Sequence, residues 1–139
     1  MFLGEHQHTL DGKGRIILPA RFRDRLASGL VLTPSQDRCV DVWPLTGFER
    51  RVEELRALPR TDERARTYLR VFLAGAHEEK PDAQGRVTVP ARLRDYAGLD
   101  RDLTINGADE RLEIWDRPTW ERYRERAEEA FATLDGGLS

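Results

Sequence analysis

Asp11-Gly12-Lys13-Gly14-Arg15-Ile16-Ile17-Leu18-Pro19-Ala20-Arg21-Phe22-Arg23-Asp24 returns 71 residues later as Asp82-Ala83-Gln84-Gly85-Arg86-Val87-Thr88-Val89-Pro90-Ala91-Arg92-Leu93-Arg94-Asp95. Eight of the 14 positions are identical, and most of the others exchange like for like, Ile16 for Val87 and Phe22 for Leu93 among them. An internal repeat decides the fold before any single element does. Asp-x-x-Gly is turn chemistry: the aspartate bonds its own downstream backbone and the glycine accepts positive φ. Asp11, Gly14, Asp82 and Gly85 are therefore expected to organise the two turns. After each turn the residues alternate, so Ile16 and Leu18, like Val87 and Val89, face a core while Arg15 and Arg86 face out. Proline then stops the strand and opens a short helix, with Phe22 and Leu26, or Leu93 and Ala97, four apart on its buried face. Gly29 and Gly98 are the expected caps.

Working outward, residues 5–10 read as a strand that pairs back on 15–18 as a hairpin. Residues 30–33 and 40–43 read as two more strands separated by the turn Pro34–Asp37. Thr46-Gly47-Phe48-Glu49 has capping-box spacing and opens a helix with the stripe Phe48, Val52, Leu55 and Leu58, ended by Pro59. Residues 60–75 predict a connector helix with Ala65, Leu69, Phe72 and Leu73 on one face. The programme then restarts. Strands are expected at 77–80, 103–105 and 112–115, with a turn at Asn106-Gly107. Asp116 and Pro118 open a last helix carrying Trp120, Tyr123, Ala127, Ala130 or Phe131, and Leu134, and residues 136–139 are expected to fray. In this part the offset is 72, so Trp43 aligns with Trp115 and Phe48 with Trp120. The fold class expected is α+β: two tandem ββαββα repeats, each too small to bury both faces of its strands, packed as a pseudo-dimer within one chain. The division is 1–59 for the first repeat, 60–75 for the connector and 76–139 for the second repeat with its C-terminal helix.

The 139 residues carry a formal charge of −2, so the chain is not globally basic. Its charge is uneven, however. Residues 11–25 hold five basic side chains against two acidic ones, and residues 113–135 four against seven. Charge asymmetry says more about partners than the total does. The single cysteine, Cys39, excludes an internal disulfide and fits a reducing cytosol. No apolar run reaches the roughly 20 residues of a membrane span, and Met1–Glu5 does not read as a signal peptide. His6 and His8 share a strand face, but neither Cys39 nor His77 is an evident further ligand, so no metal is expected. No nucleophile–base pair or phosphate loop is present; Gly12-Lys13-Gly14 lacks the residues of a Walker loop. The chain is thus not expected to be an enzyme, and no cofactor or small-molecule substrate is expected. Trp43, Trp115 and Trp120 sit in apolar-periodic positions and read as core.

The chain resembles the MraZ family of bacterial proteins associated with the division and cell-wall gene cluster. The residues that carry the resemblance are the tandem Asp11…Gly14-Arg15 and Asp82…Gly85-Arg86, Pro19–Arg23, Arg70–Gly75, Leu93–Leu99, and Gly107…Arg111…Glu113-Ile114-Trp115-Asp116. The resemblance implies an AbrB-like swapped-hairpin fold, a double-psi-like small barrel with flanking helices. It implies a ring-type homo-oligomer, cytoplasmic and nucleoid-associated. It also implies a DNA-binding transcriptional regulator that acts on repeated promoter boxes, with double-stranded DNA as partner and no membrane. The family's Asp-x-x-x-Arg element falls on Asp11/Arg15 and Asp82/Arg86. The expected DNA-binding residues are Lys13, Arg15, Gln84, Arg86, Arg21 and Arg23. A two-stranded ribbon can enter the major groove, and arginine can bond a guanine's O6 and N7 together. Arg21, Arg23, Arg92 and Arg94 admit a second reading as helix-face or ion-paired arginines. Ala83 and Gln84 replace Gly12 and Lys13, which makes the second turn less basic. The same repeats would also suit a structural ring or scaffold without a DNA target.

Overall fold

The strands of each copy find most of their partners in the other copy. The computed structural model describes residues 1–134; the expected fraying of 136–139 lies outside them. In the first copy, β1 (Glu5–Thr9) is followed by β2 (Arg15–Ile17). One turn of 3-10 helix (Ala20–Phe22) then runs into α1 (Arg23–Leu26), β3 (Leu30–Pro34) and β4 (Val40–Pro44). The helices α2 (Leu45–Arg56) and α3 (Glu63–Ala74) come next. The second copy gives β5 (His77–Glu79), β6 (Arg86–Thr88), α4 (Ala91–Ala97), β7 (Asp102–Ala108), β8 (Arg111–Asp116) and α5 (Arg117–Thr133). Six strands form one antiparallel sheet in the order β1-β7-β8-β4-β3-β5, and β2 and β6 form a separate ribbon. Exchange each strand for its equivalent in the other copy and the sheet order reads the same backwards. A pseudo-twofold therefore runs between β4 and β8, where Val42 lies opposite Leu112.

The hairpin expected between β1 and β2 does not form. β1 pairs with β7, His6 opposite Ile105, while β2 pairs with β6, Ile16 opposite Val87. The reason is that β2 uses its ladder edge on a near-copy of itself. The backbone bonds Leu18 N to Gly85 O (2.9 Å) and Val89 N to Gly14 O (2.8 Å) extend that ribbon at both ends. The alternation itself is as expected: Ile16, Leu18, Val87 and Val89 are fully buried, against a core that includes Leu30, Leu32, Leu103 and Ile105 from both copies. Each such side chain contributes about 1.5–3 kcal/mol relative to exposure.

Three local expectations are corrected. The capping box at Thr46 is absent because Pro44, with φ −63°, ends β4 and stands at the cap position of α2 two residues earlier. Thr46 is then inside the first turn, where its side chain cannot cap. Asn106 and Gly107 lie within β7, and the β7–β8 hairpin turns instead at Asp109-Glu110, with Asp109 at φ 64°. Gly107 serves a close crossing: the N-terminal segment passes over it, and a Cβ there would meet Leu3 N at 2.3 Å. On α3 the face is only partly covered. Phe72 is buried against Trp43, Val52 and Leu55, whereas Leu73 is exposed, as is Leu58 beyond the end of α2. Trp115 packs with Trp120 and Tyr123 of α5 in the equivalent place of the second copy. Among the described residues, no helix is long and apolar enough to cross a membrane.

The β4–β8 seam holds a buried charged group that composition does not reveal. Asp41 lies opposite Glu113, and Arg111 bridges them at 3.3 and 3.2 Å. Burial pushes Asp41 up to about 7 against the attraction of Arg111, and pushes the Cys39 thiol up as well. Cys39, Asp41 and Glu113 bring their ligand-type atoms within 4.8 Å of one another, but the guanidinium already supplies the cation there.

Candidate nucleic-acid interface

Both turns are built by the same five bonds. Asp11 Oδ1 accepts the backbone N–H of Lys13 (2.8 Å) and of Arg15 (2.9 Å), and Oδ2 accepts Arg15 Nε (2.8 Å). Asp82 Oδ1 accepts from Gln84 (3.0 Å) and Arg86 (2.8 Å), and Oδ2 accepts Arg86 Nε (2.7 Å). The main chain closes each turn identically, Gly14 N to Asp11 O and Asp11 N to Arg15 O, with the same pair at Gly85, Asp82 and Arg86. The backbone N–H of Arg15 or Arg86, with the adjacent guanidinium, holds each aspartate below the usual carboxylate range. The charge is thus permanent at neutral pH and spent on the turn. It orients the arginine without leaving a free anion to repel phosphate.

What remains on Arg15 is its terminal fork. Among the described residues, Nη1 and Nη2 of Arg15 make no hydrogen bond, so both can donate outward while Nε is held. Arg86 differs, because its Nη2 also donates to Gln84 Oε1 at 3.2 Å. In the sequence Gln84 reads as a lost charge, and its contact with Arg86 has no signal in the pattern. On the ribbon, Arg15 lies opposite Thr88 and Ile17 opposite Arg86. These four side chains share the outer face, with Ile16 and Val87 turned inward. The ribbon therefore carries one arginine towards each end.

Each turn is seated by an arginine of the other repeat. Gly14 and Gly85 have φ 76° and 78°, the left-handed region, so glycine is required for the backbone. A side chain there would also crowd an arginine, whose flexible end would have to shift. A Cβ on Gly85 would stand 2.6 Å from Arg23 Nε, and one on Gly14 2.7 Å from Arg94 Nη1. Arg23 also donates Nε to Leu18 O at 3.1 Å. Of the expected binding residues, then, Lys13, Arg15, Gln84 and Arg86 come together on the turns. Arg23 lies against the second turn. Arg21 stands apart, over the Phe22 ring at 5.2 Å and near Gly4. The Lys13 ammonium is exposed and in no ion pair among the described residues. His6 packs edge-on to Phe22, and burial holds His8 below its ordinary value.

The chain is similar to a known family over almost its whole length. The family model described as "MraZ protein, putative antitoxin-like" matches twice in tandem, over residues 1–71 and 72–136. A protein of Salinispora arenicola (strain CNS-205) named Transcriptional regulator MraZ is 56% identical over 138 residues, 99% of this chain and 97% of that one. Its namesake in Kineococcus radiotolerans is 57% identical over 132 residues, covering 95% and 92%. That of Thermobifida fusca is 55% identical over 134 residues, covering 96% and 94%.

Proposed function

The chain belongs to the MraZ family, and from that premise we propose that it is a sequence-specific DNA-binding transcriptional regulator and not an enzyme. It acts in the cytoplasm at the nucleoid, as a ring-type homo-oligomer on repeated boxes in the promoter of its own division and cell-wall gene cluster. The observation that supports this most directly is the pair of aspartate-braced arginines, Arg15 and Arg86, set towards the two ends of one exposed ribbon.

The mechanism follows from the geometry. The ribbon's outer face enters the major groove. Each arginine presents its terminal nitrogens to a guanine edge, a contact that discriminates by about 1–3 kcal/mol. The brace matters because an arginine already held by Nε loses less freedom on binding. Lys13 is a point charge suited to phosphate, and Arg21 is a flanking phosphate contact. Gln84 steers Arg86, and Arg23 positions the second turn through Gly85. One protomer offers two short turns, so repeated boxes and an oligomer gain through effective concentration. We read the interleaved strands as an AbrB-type swapped-hairpin core. Residues 1–59 and 76–139 are its repeats, and 60–75 the connector.

The test is footprinting on the DNA upstream of the protein's own gene, followed by binding to single-base variants of the protected boxes at two salt concentrations. Arg15→Ala is expected to lose about 1–3 kcal/mol per engaged contact and to relax specificity at one base. Lys13→Ala is expected to weaken all sequences evenly and to reduce the salt slope by about one ion per bound protomer. If Arg15→Ala binds the native box as wild type does while melting normally, the arginine turn does not read DNA. Ring assembly with no protected DNA would instead favour the scaffold reading.

A further inference from the structure

One half-buried arginine beside the ribbon has no partner. Arg94 lies on α4, which Leu93 and Ala97 anchor in the shared core. Its side chain crosses to the first repeat, where the guanidinium rests against Gly14. A Cβ on Gly14 would stand 2.7 Å from Arg94 Nη1, 2.8 Å from Cζ and 3.3 Å from Nε. Arg94 Nε is buried without a hydrogen bond, and among the described residues the side chain has no carboxylate within ion-pair distance. A buried N–H of this kind is rare in a folded chain, and a partly desolvated cation without an anion is costly.

The equivalent arginine of the first repeat is placed differently. Arg23 meets the Gly85 position with its stem, Nε at 2.6 Å and Cδ at 3.0 Å, and donates that Nε to Leu18 O at 3.1 Å. Arg94 meets Gly14 with its tip and donates to nothing among the described residues. The same inequality runs through the rest of each turn. Lys13 and Arg15 flank Gly14, the one with an exposed ammonium and the other with an untied fork. The second turn has the neutral Gln84 instead, and Arg86 gives Nη2 to it at 3.2 Å. Asp11, the first turn's own carboxylate, does not serve Arg94, because its oxygens accept from Lys13 N and from Arg15.

We propose that Arg94 is a DNA-backbone contact, which with Lys13 grips the phosphate beside the base that Arg15 reads. Place and chemistry both point to phosphate as the anion. The guanidinium of Arg94 sits against the residue before Arg15, so a duplex whose base edge meets the Arg15 fork brings its backbone to the same end of the ribbon. A guanidinium takes two phosphate oxygens at once, where an ammonium is only a point charge. Packed on the bare main chain of Gly14, Arg94 is placed before DNA arrives and loses less freedom on binding. The two turns are therefore unequal. The first holds both backbone and base, the second holds a base with lighter backbone support, and each box is bound in one orientation.

The proposal rests on the reading of the ribbon as the DNA-binding element, and adds to it one residue from the opposite repeat and a polarity. A purely structural Arg94 would change how the chain melts without coupling to any one phosphate.

The experiment binds the full chain to a duplex carrying one protected box, in which single phosphates are replaced in turn by neutral methylphosphonate. Wild type is compared with Arg94→Gln, Arg94→Lys and Arg23→Gln, each with a thermal melt. Arg94→Met, which keeps the stem, stands in for Arg94→Gln if that variant does not melt as wild type does. Arg94→Gln is expected to bind about 10-fold more weakly, with a salt slope smaller by about one ion per bound protomer. Arg94→Lys keeps the charge and should keep the slope. Arg23→Gln should keep it too, because Arg23 seats the second turn and meets no phosphate. One methylphosphonate should weaken wild type and leave Arg94→Gln no weaker than before. That phosphate should lie within about two nucleotides of the base at which Arg15→Ala relaxes specificity. A folded Arg94→Gln with an unchanged slope, or one weakened at every phosphate that weakens wild type, overturns the contact. Equal loss of slope in Arg23→Gln overturns the polarity. An Arg15→Ala without effect beside an Arg94→Gln of smaller slope sinks the base reading and leaves the phosphate contact standing. A wild type that binds no box overturns both.

Discussion

Replacing Gly107 by alanine tests whether its role is the close crossing or a turn. The φ of Gly107 is not positive, so the added methyl meets no backbone penalty of its own. Its Cβ would lie 2.3 Å from Leu3 N and 2.4 Å from Leu3 Cα and Phe2 C, all main-chain atoms that cannot rotate away. The segment Phe2–Gly4 must therefore lift. What it carries can be itemised. Phe2 is fully buried, edge-on to Phe22 at 5.1 Å, with the Arg25 guanidinium 3.8 Å above its ring. Its exposure costs about 1.5–3 kcal/mol. Three backbone bonds go with it: Phe2 N to Asp109 O, Asp109 N to Phe2 O and Gly107 N to Gly4 O. Each contributes about 1 kcal/mol net. The three released residues regain about 1–2 kcal/mol of backbone entropy apiece, so the net loss expected is at most about 3 kcal/mol, and the loss of amide protection is the more sensitive readout. Gly98→Ala is the control. Gly98 has φ 61° with open space around its Cβ position, so it shows the strain of a left-handed alanine alone, about 1–2 kcal/mol. The assay is urea unfolding with hydrogen exchange at the Phe2 and Asp109 amides. If Gly107→Ala unfolds within ~1 kcal/mol of wild type and both amides stay protected, the crossing does not constrain this position and the reasoning fails.

The other expectations are shorter. Asp41 has a folded value of about 7, raised above its unfolded value, so the folded chain holds a proton that the unfolded chain releases. Stability should accordingly fall as pH rises from about 4 to about 7, and Asp41→Asn should remove that part of the slope; urea midpoints at pH 5 and pH 8 decide it, an unchanged slope counting against it. Asp11 and Asp82 are shifted the other way, so their bracing of the turns is present above the ordinary value and is lost as pH falls through the lowered one. Carbon-detected titration should find both below 3.8, and a value at or above that would show that the brace is not made in solution. Gln84→Lys should make the second turn resemble the first, raising affinity and increasing the salt slope by about one ion per bound protomer; an unchanged slope would place residue 84 away from phosphate.

Which of these features the sequence makes legible depends on range. The Asp-x-x-Gly turns, the inward Ile16, Leu18, Val87 and Val89, and the cap at Gly98 are readable because each is decided within a few residues. Strand partners are not. Period-two alternation says which face is buried but not which edge is met, and two copies with the same pattern offer β1 equivalent-looking partners. The same limit explains Asn106-Gly107, whose composition suits a hairpin turn while the glycine answers to a segment about a hundred residues away. It also explains Leu58 and Leu73, which have helical spacing but are exposed among the described residues. The Gln84–Arg86 contact is not legible because a glutamine beside a turn looks like an absent lysine.

The interleaving has a consequence for how two arginines would read one duplex. Each turn is tied to the other repeat's strand by a backbone bond, Leu18 N to Gly85 O or Val89 N to Gly14 O, and each turn glycine is packed by the other repeat's arginine. Neither turn can shift without the other, so the spacing of the two arginines' backbone positions is a property of the ribbon. Arg15 and Arg86 lie two register positions apart on opposite strands, Arg15 against Thr88 and Arg86 against Ile17. At ~3.3 Å per residue along a strand and ~5 Å between strands, their Cα atoms stand about 8 Å apart. With bases ~3.4 Å apart along a strand, that distance spans about two to three base steps. Within one protected box, the base at which Arg15→Ala relaxes specificity and the base at which Arg86→Ala does so should therefore differ by two or three positions. Saturating single-base variants of the box, bound to each mutant, measure the interval directly. An interval of half a helical turn or more, or a single shared base, would mean that the two arginines do not enter the groove together on one ribbon.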